Sequence, residues 1–227
     1  MKNVSLAILF AALSLTGMGQ YKKAGFFSKK GRTIGIGTTS FIMGDGKGAP
    51  VGFYYEGSRE STERRIFTYG NIAVIPGYKF SFQTTGVSYD QTSEKNITVS
   101  GKTTMHFLYQ FNVGYFLLKQ GGGEERKFRP FVSAGFNVLL GGRLKEETYE
   151  EGYEINKDTG GQSFSTGFRG GAGCIYDISQ KFSLKLDGGY TYQVNIYPSD
   201  VQGYQTYSLF TSHASVSLGI RYSIFSE

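Results

Sequence analysis

The run from His213 to Phe225 constrains the fold more than any other stretch of the chain. Ala214, Val216, Leu218, Ile220, Tyr222 and Ile224 alternate with His213, Ser215, Ser217, Gly219, Arg221 and Ser223, and Phe225 closes the run. A period of two is that of a β-strand with one apolar and one polar face. At about 3.3 Å per residue such a strand is ~40 Å long, roughly twice the usual globular length. A strand of that length and alternation predicts the closing strand of a membrane-spanning β-barrel.

The same period recurs upstream. Strands are predicted over about 32–42, 65–75, 78–90, 102–118, from Val132 to Arg143, over 162–176, and from Phe182 to Ile196. Met105, Phe107, Tyr109, Phe111, Val113 and Tyr115 share one face of the fourth, and Phe182, Leu184, Leu186, Tyr190, Tyr192 and Val194 share one face of the seventh. The second and third are the weakest. Pro76-Gly77 reads as a turn, yet Phe80 and Phe82 sit on the opposite parity from Val87 and Tyr89. A bulge or a turn shifted to 80–83 would each account for the slip. With the final strand the total is eight, an even number. The fold predicted is an all-β, eight-stranded antiparallel up-and-down transmembrane barrel, with strand one pairing with the C-terminal strand.

Segments outside the strands complete the organisation. Lys2, the apolar run Val4 to Leu15 and the small residues before Gln20 predict a signal peptide over 1–19, cleaved after Gly19. Residues 20–30 read as a short periplasmic leader and 31–227 as the barrel. Long extracellular loops are expected near 43–63, 91–101, 145–161 and 198–205, with tight periplasmic turns near 76 and 178–180. Mean hydropathy is −0.26, and no apolar run of about 18 residues argues for a membrane helix. The formal charge of +6 is scattered rather than gathered with aromatics on one face, which argues against nucleic-acid binding. Cys174 has no second cysteine to pair with.

Alternation does not say which face is inside, and a soluble lipocalin-like barrel would turn the apolar face inward. The alternation of long and short connections favours the membrane. So does the crowding of Gly and Ser on the polar face, which suits the narrow lumen of eight strands. In addition, Gly219-Ile220-Arg221-Tyr222-Ser223-Ile224-Phe225 resembles the C-terminal assembly signal of outer-membrane barrels, with Gly219, Tyr222, Ile224 and Phe225 in the signal positions and Leu218 where a polar residue is usual. The stretches 129–135 and 182–186 resemble strand starts of the OmpA/OmpX-like small barrels, including the PorT-like group. That resemblance implies a location in the outer membrane, contact with its lipid, and recognition by the barrel-assembly machinery. It implies little about function, since such families include adhesins, structural barrels, minor pores and secretion accessories.

Chemistry is sparse. His106 and His213 are far from Cys174 in sequence and have no ligand spacing, so no metal or cofactor is expected. His213-Ala214-Ser215 is similar to the His-x-Ser pair of outer-membrane lipid A deacylases, but by parity both residues face the lumen and no Asn follows. Gly101-Lys102-Thr103 lacks the first glycine and the helix of a phosphate loop. The acidic residues of 145–161 read as solvated loop charge. Arg169, Lys185, Asp187 and Arg221 share the inward parity of the last three strands and are expected to form an interior polar network, with an Asp187–Arg221 ion pair blocking a continuous pore. The expectation is a non-enzymatic barrel of structural or surface-interaction type, touching an extracellular or envelope protein partner through its loops. The alternatives are a secretion or transport accessory, a narrow pore, or an outer-membrane lipid-modifying enzyme.

Overall fold

The computed structural model describes residues 31–43, 48–60, 65–88, 94–118, 127–141, 144–148, 153–154, 163–195 and 212–224. Among the described residues there are twelve strands: β1 Arg32–Met43, β2 Val51–Glu60, β3 Ile66–Ile75, β4 Lys79–Ser88, β5 Glu94–Thr103, β6 His106–Phe116, β7 Phe128–Gly141, β8 Leu144–Thr148, β9 Tyr153–Glu154, β10 Ser163–Asp177, β11 Phe182–Asn195 and β12 His213–Ser223. Eight of them close into an antiparallel barrel in the order β1-β12-β11-β10-β7-β6-β3-β2. Strand one pairs with the last from Thr33↔Ser223 to Met43↔His213, so the ring has no open edge. The barrel strands run 10–15 residues, enough for a tilted crossing of a bilayer at about 9–11 residues each.

Alternation sorts the side chains. Ile36, Phe53, Leu186, Val216, Leu218 and Ile220 are exposed on the outer wall, while Glu56, Asn112, Arg169, Lys185, Asp187 and Arg221 are buried in the lumen. Phe182 and Tyr222 stack obliquely at 5.2 Å on the outer wall, at the end that holds Arg32 and Ser223. That end is called the near end below, and the opposite one the far end.

The identity of the strands departs from the sequence reading at two places. The segment expected as a loop over 43–63 contains β2, a full barrel strand paired with β1 and β3. The segment expected as the third barrel strand, 78–90, is β4, which leaves the barrel. It pairs with β5 and β9, and β5 pairs with β8, giving a second sheet in the order β8-β5-β4-β9 above the far end. The turn at Pro76-Gly77 therefore leads up into this crown rather than across the near end, and 91–101 is largely β5. The pairing of β4 with β5 runs unbroken from Lys79 to Val87, so no bulge explains the parity slip. The expected loop over 145–161 contains part of β8 and all of β9. The segments 1–19, 20–30 and 198–205, and Phe225, lie outside the described residues.

Candidate functional site: the charged lumen

β2 owes its place to its inward face. Val51, Phe53 and Tyr55 point outward, so Tyr54, Glu56, Ser58 and Glu60 point into the lumen. In a loop those acids would be solvated, but inside the ring they meet cations of three other strands, β7, β11 and β12.

The result is a chain of eight charged side chains in alternating sign. Arg169 Nη2 lies 2.9 Å from Asp187 Oδ1, and Asp187 Oδ2 lies 3.5 Å from Lys185 Nζ. Lys185 Nζ donates to Glu56 Oε2 at 2.6 Å. Glu56 Oε1 in turn lies 3.1 Å from Arg221 Nε, a charge contact whose N–H is not aligned as a hydrogen bond. Arg221 Nη2 donates to Glu60 Oε1 at 3.0 Å, and Glu60 Oε2 accepts from Arg129 Nη1 at 2.6 Å. Arg129 closes the series with a two-pronged contact to Asp177, at 2.9 Å and 2.8 Å. Among the described residues four cations face four anions, so this chain is neutral by formal charge.

Neutral groups complete it. Tyr69 Oη donates to Asp187 Oδ2 at 2.9 Å and lies 3.0 Å from Ser133 Oγ. The Tyr69 ring also carries the Lys185 ammonium 3.4 Å from its centroid, a buried cation–π contact. Arg221 Nη2 further donates to Thr33 Oγ1 at 2.8 Å and to Ser58 Oγ. Burial this deep makes an unpaired charge costly, and the alternating order gives each ion a counter-charge.

Arg169, Lys185, Asp187 and Arg221 all point into the lumen. The ion pair expected between Asp187 and Arg221 does not form. Asp187 stands opposite Ser217 and Arg221 opposite Ser183, four residues apart along β12, and Glu56 of β2 takes the place expected of Asp187. Glu56, Glu60, Arg129 and Asp177 were not among the expected network. The first two sit in the strand read as a loop, and the last two sit at strand ends. The signal that could have found β2 was the alternation of Val51, Phe53 and Tyr55 with Tyr54, Glu56 and Ser58.

Apolar clusters flank the ions. Phe41, Met43, Tyr54, Ala73, Ile75, Leu108 and Leu139 pack together toward the far end, where His213 meets Phe41 edge-on at 5.4 Å. Phe67, Tyr69, Phe116, Phe131 and Ile175 pack toward the near end. His213 and Ser215 are buried in the wall, and among the described residues no group of His, Cys, Asp or Glu could hold a metal ion. Gly219, one of the assembly-signal positions, pairs with Gly37. A side chain at either glycine would run into the Tyr54 ring, so the pair makes room for that ring in the lumen. Tyr222 and Ile224 are on the outer wall.

No protein-family model and no curated protein matches the chain. Among solved structures it is similar to Neisserial surface protein A at 12% identity, with 85% of this chain and 97% of that one covered and a TM-score of 0.44. It is similar to Ail, the attachment invasion locus protein of Yersinia pestis, solved with the heparin analogue sucrose octasulfate, at 13% identity, 85% and 98% coverage and a TM-score of 0.46. It is also similar to the N-terminal β-barrel domain of Pseudomonas aeruginosa OprF at 16% identity, 84% and 96% coverage and a TM-score of 0.39.

Proposed function

We propose that the chain is an integral outer-membrane β-barrel of structural or surface-interaction type, non-enzymatic, with its lumen sealed and its contacts made by the far-end crown. One observation carries the reading. The molecule is inverted relative to a water-soluble protein, with Leu218 55% exposed on the outer wall and Arg221, three residues on, 2% exposed in the lumen. A continuous apolar outer wall is stable against hydrocarbon and unstable against water. Closure of the ring supports the same reading, because an open sheet edge in lipid would leave backbone groups without partners.

In this reading the near end faces the periplasm and the crown faces outward. The crown is built from the two long excursions after β3 and β7, and it is the part free to touch an extracellular or envelope partner. The neutral ion chain and the two apolar clusters together act as a plug, which argues for a scaffold or adhesive surface rather than a passage.

The test is heat-dependent mobility on SDS gels combined with protease treatment of whole cells. The expected result is a heat-modifiable band whose barrel survives while the crown segments 79–103 and 144–154 are cut. A fully soluble periplasmic product would end the membrane reading. Steady conductance in planar bilayers would favour a pore instead.

A further inference from the structure

We propose that the lumen encloses a water-binding chamber on the far side of the ion chain, its central water seated over Gly167 between Asn137 and Gln193. The proposal concerns the inside of the ring and holds whatever the crown meets. Along one inward row Asn137 of β7 stands opposite Gly167 of β10, and Gly167 stands opposite Gln193 of β11. A Cβ at Gly167 would lie 2.8 Å from Asn137 Oδ1 and 2.9 Å from Gln193 Oε1, so both amide oxygens lean in over the same glycine. Gln193 Nε2 donates to Ser165 Oγ at 2.7 Å, which fixes that amide with Oε1 toward Gly167. The next row repeats the device. There Asn112 of β6 stands opposite Gly135, and its Oδ1 lies 2.6 Å from where a Cβ of Gly135 would be.

These groups are buried without partners. Asn112, Asn137 and Thr191 are 0% exposed, and Gln193 is 8% exposed. Among the described residues, both polar atoms of the Asn112 and Asn137 amides, Thr191 Oγ1 and Gln193 Oε1 make no hydrogen bond. Buried polar atoms are nearly always satisfied, so such a group calls for a water or an ion. Two oxygens aimed at one point need either a donor with two protons or a cation. The cation is the worse fit. Arg169 follows Gly167 by two residues on the same inward face, while Glu56, Glu60, Asp177 and Asp187 are already held by the cations of the ion chain. A second positive charge there would have no counter-charge. Water is neutral, donates two protons to the two oxygens, and can accept from a neighbouring amide or hydroxyl. The chamber is closed at both ends. On the near side Arg169 is tied to Asp187 at 2.9 Å. On the far side Leu139, two residues on from Asn137, and Leu108 opposite it belong to the buried apolar cluster.

The full chain is crystallised from detergent in a rubidium-containing buffer, at a resolution that orders water. The expected result is a peak within about 2.6–3.2 Å of both Asn137 Oδ1 and Gln193 Oε1, with no rubidium anomalous signal. A rubidium signal at that point puts a cation there and overturns the proposal. So does direct bonding of both amides to protein groups. In solution, NMR of the micelle-held barrel should show cross-relaxation between a slowly exchanging water and the Gly167 amide proton. Gly167→Ala places a methyl group over that point and should remove the peak. Gln193→Met deletes one of the two acceptors at similar side-chain length and should weaken the peak severalfold. It decides the question if the alanine variant gives no heat-modifiable band. An unchanged peak in a heat-modifiable Gln193→Met barrel overturns the site, and a heat-modifiable wild type without the peak fails the chamber while leaving the membrane reading standing.

Discussion

The carboxylate of Glu56 on β2 lies 3.1 Å from Nε of Arg221 on β12, although β1 stands between those two strands in the sheet. The contact passes over Gly35 of β1, which stands opposite both residues, and joins the second strand of the ring to the last. Replacing Glu56 by Ala should therefore cost about 3–5 kcal/mol, the usual loss when one partner of a buried ion pair is removed. Chemical denaturation in vesicles measures it. In the double variant Glu56→Ala with Arg221→Ala, Lys185 keeps Asp187 and Arg129 keeps Glu60. Part of the loss should return, and a strictly additive cycle would mean that the two groups do not couple.

The same double variant removes the middle of the ion chain. It should show raised conductance in planar bilayers relative to the wild type. An unchanged trace would mean that the apolar clusters around Phe41 and Phe67 seal the lumen without the ions.

Leu218 lies halfway along β12 on the outer wall. Leu218→Arg should cost about 2–4 kcal/mol if that wall meets the bilayer midplane. An exposed position in water would tolerate the change to within about 0.5 kcal/mol. Unfolding of the two proteins in the same vesicles separates the outcomes.

Thr39 and Ser217 face each other across the seam of the barrel, with their hydroxyl oxygens 2.9 Å apart. In a Cys174→Ser background, Thr39→Cys with Ser217→Cys should oxidise to a disulfide joining first and last barrel strands. Its formation would appear as a shift on non-reducing gels after boiling. Failure to cross-link in the folded, detergent-extracted protein would contradict the register.

The candidate site was half legible in the sequence. Arg169, Lys185, Asp187 and Arg221 stand on strands whose alternation is long and regular, so their inward parity could be read directly. Glu56 and Glu60 are harder to read, because the stretch Glu56-Gly57-Ser58-Arg59-Glu60 has the composition of a loop and only the alternation from Val51 to Ser58 marks it as a strand. Charge buried against charge looks, in one dimension, like charge dissolved in water. For the same reason the sequence points to Asp187 on the adjacent strand as the partner of Arg221, and not to Glu56, which lies past Gly35 of β1.

The sequence alone determined the period, the apolar outer faces and the long closing strand, because alternation is a local property of each stretch. It also led to eight strands and to the pairing of the first with the last. The tertiary structure decided which eight segments form the ring, admitting 51–60 and sending 79–88 up into the crown. It also decided which ion meets which, since the hydrogen-bonded ring fixes the height of every inward residue and brings Glu56 to Lys185, 129 positions away along the chain. Neither outcome is local. Each depends on a closed sheet in which every edge must find a partner and every buried charge a counter-charge.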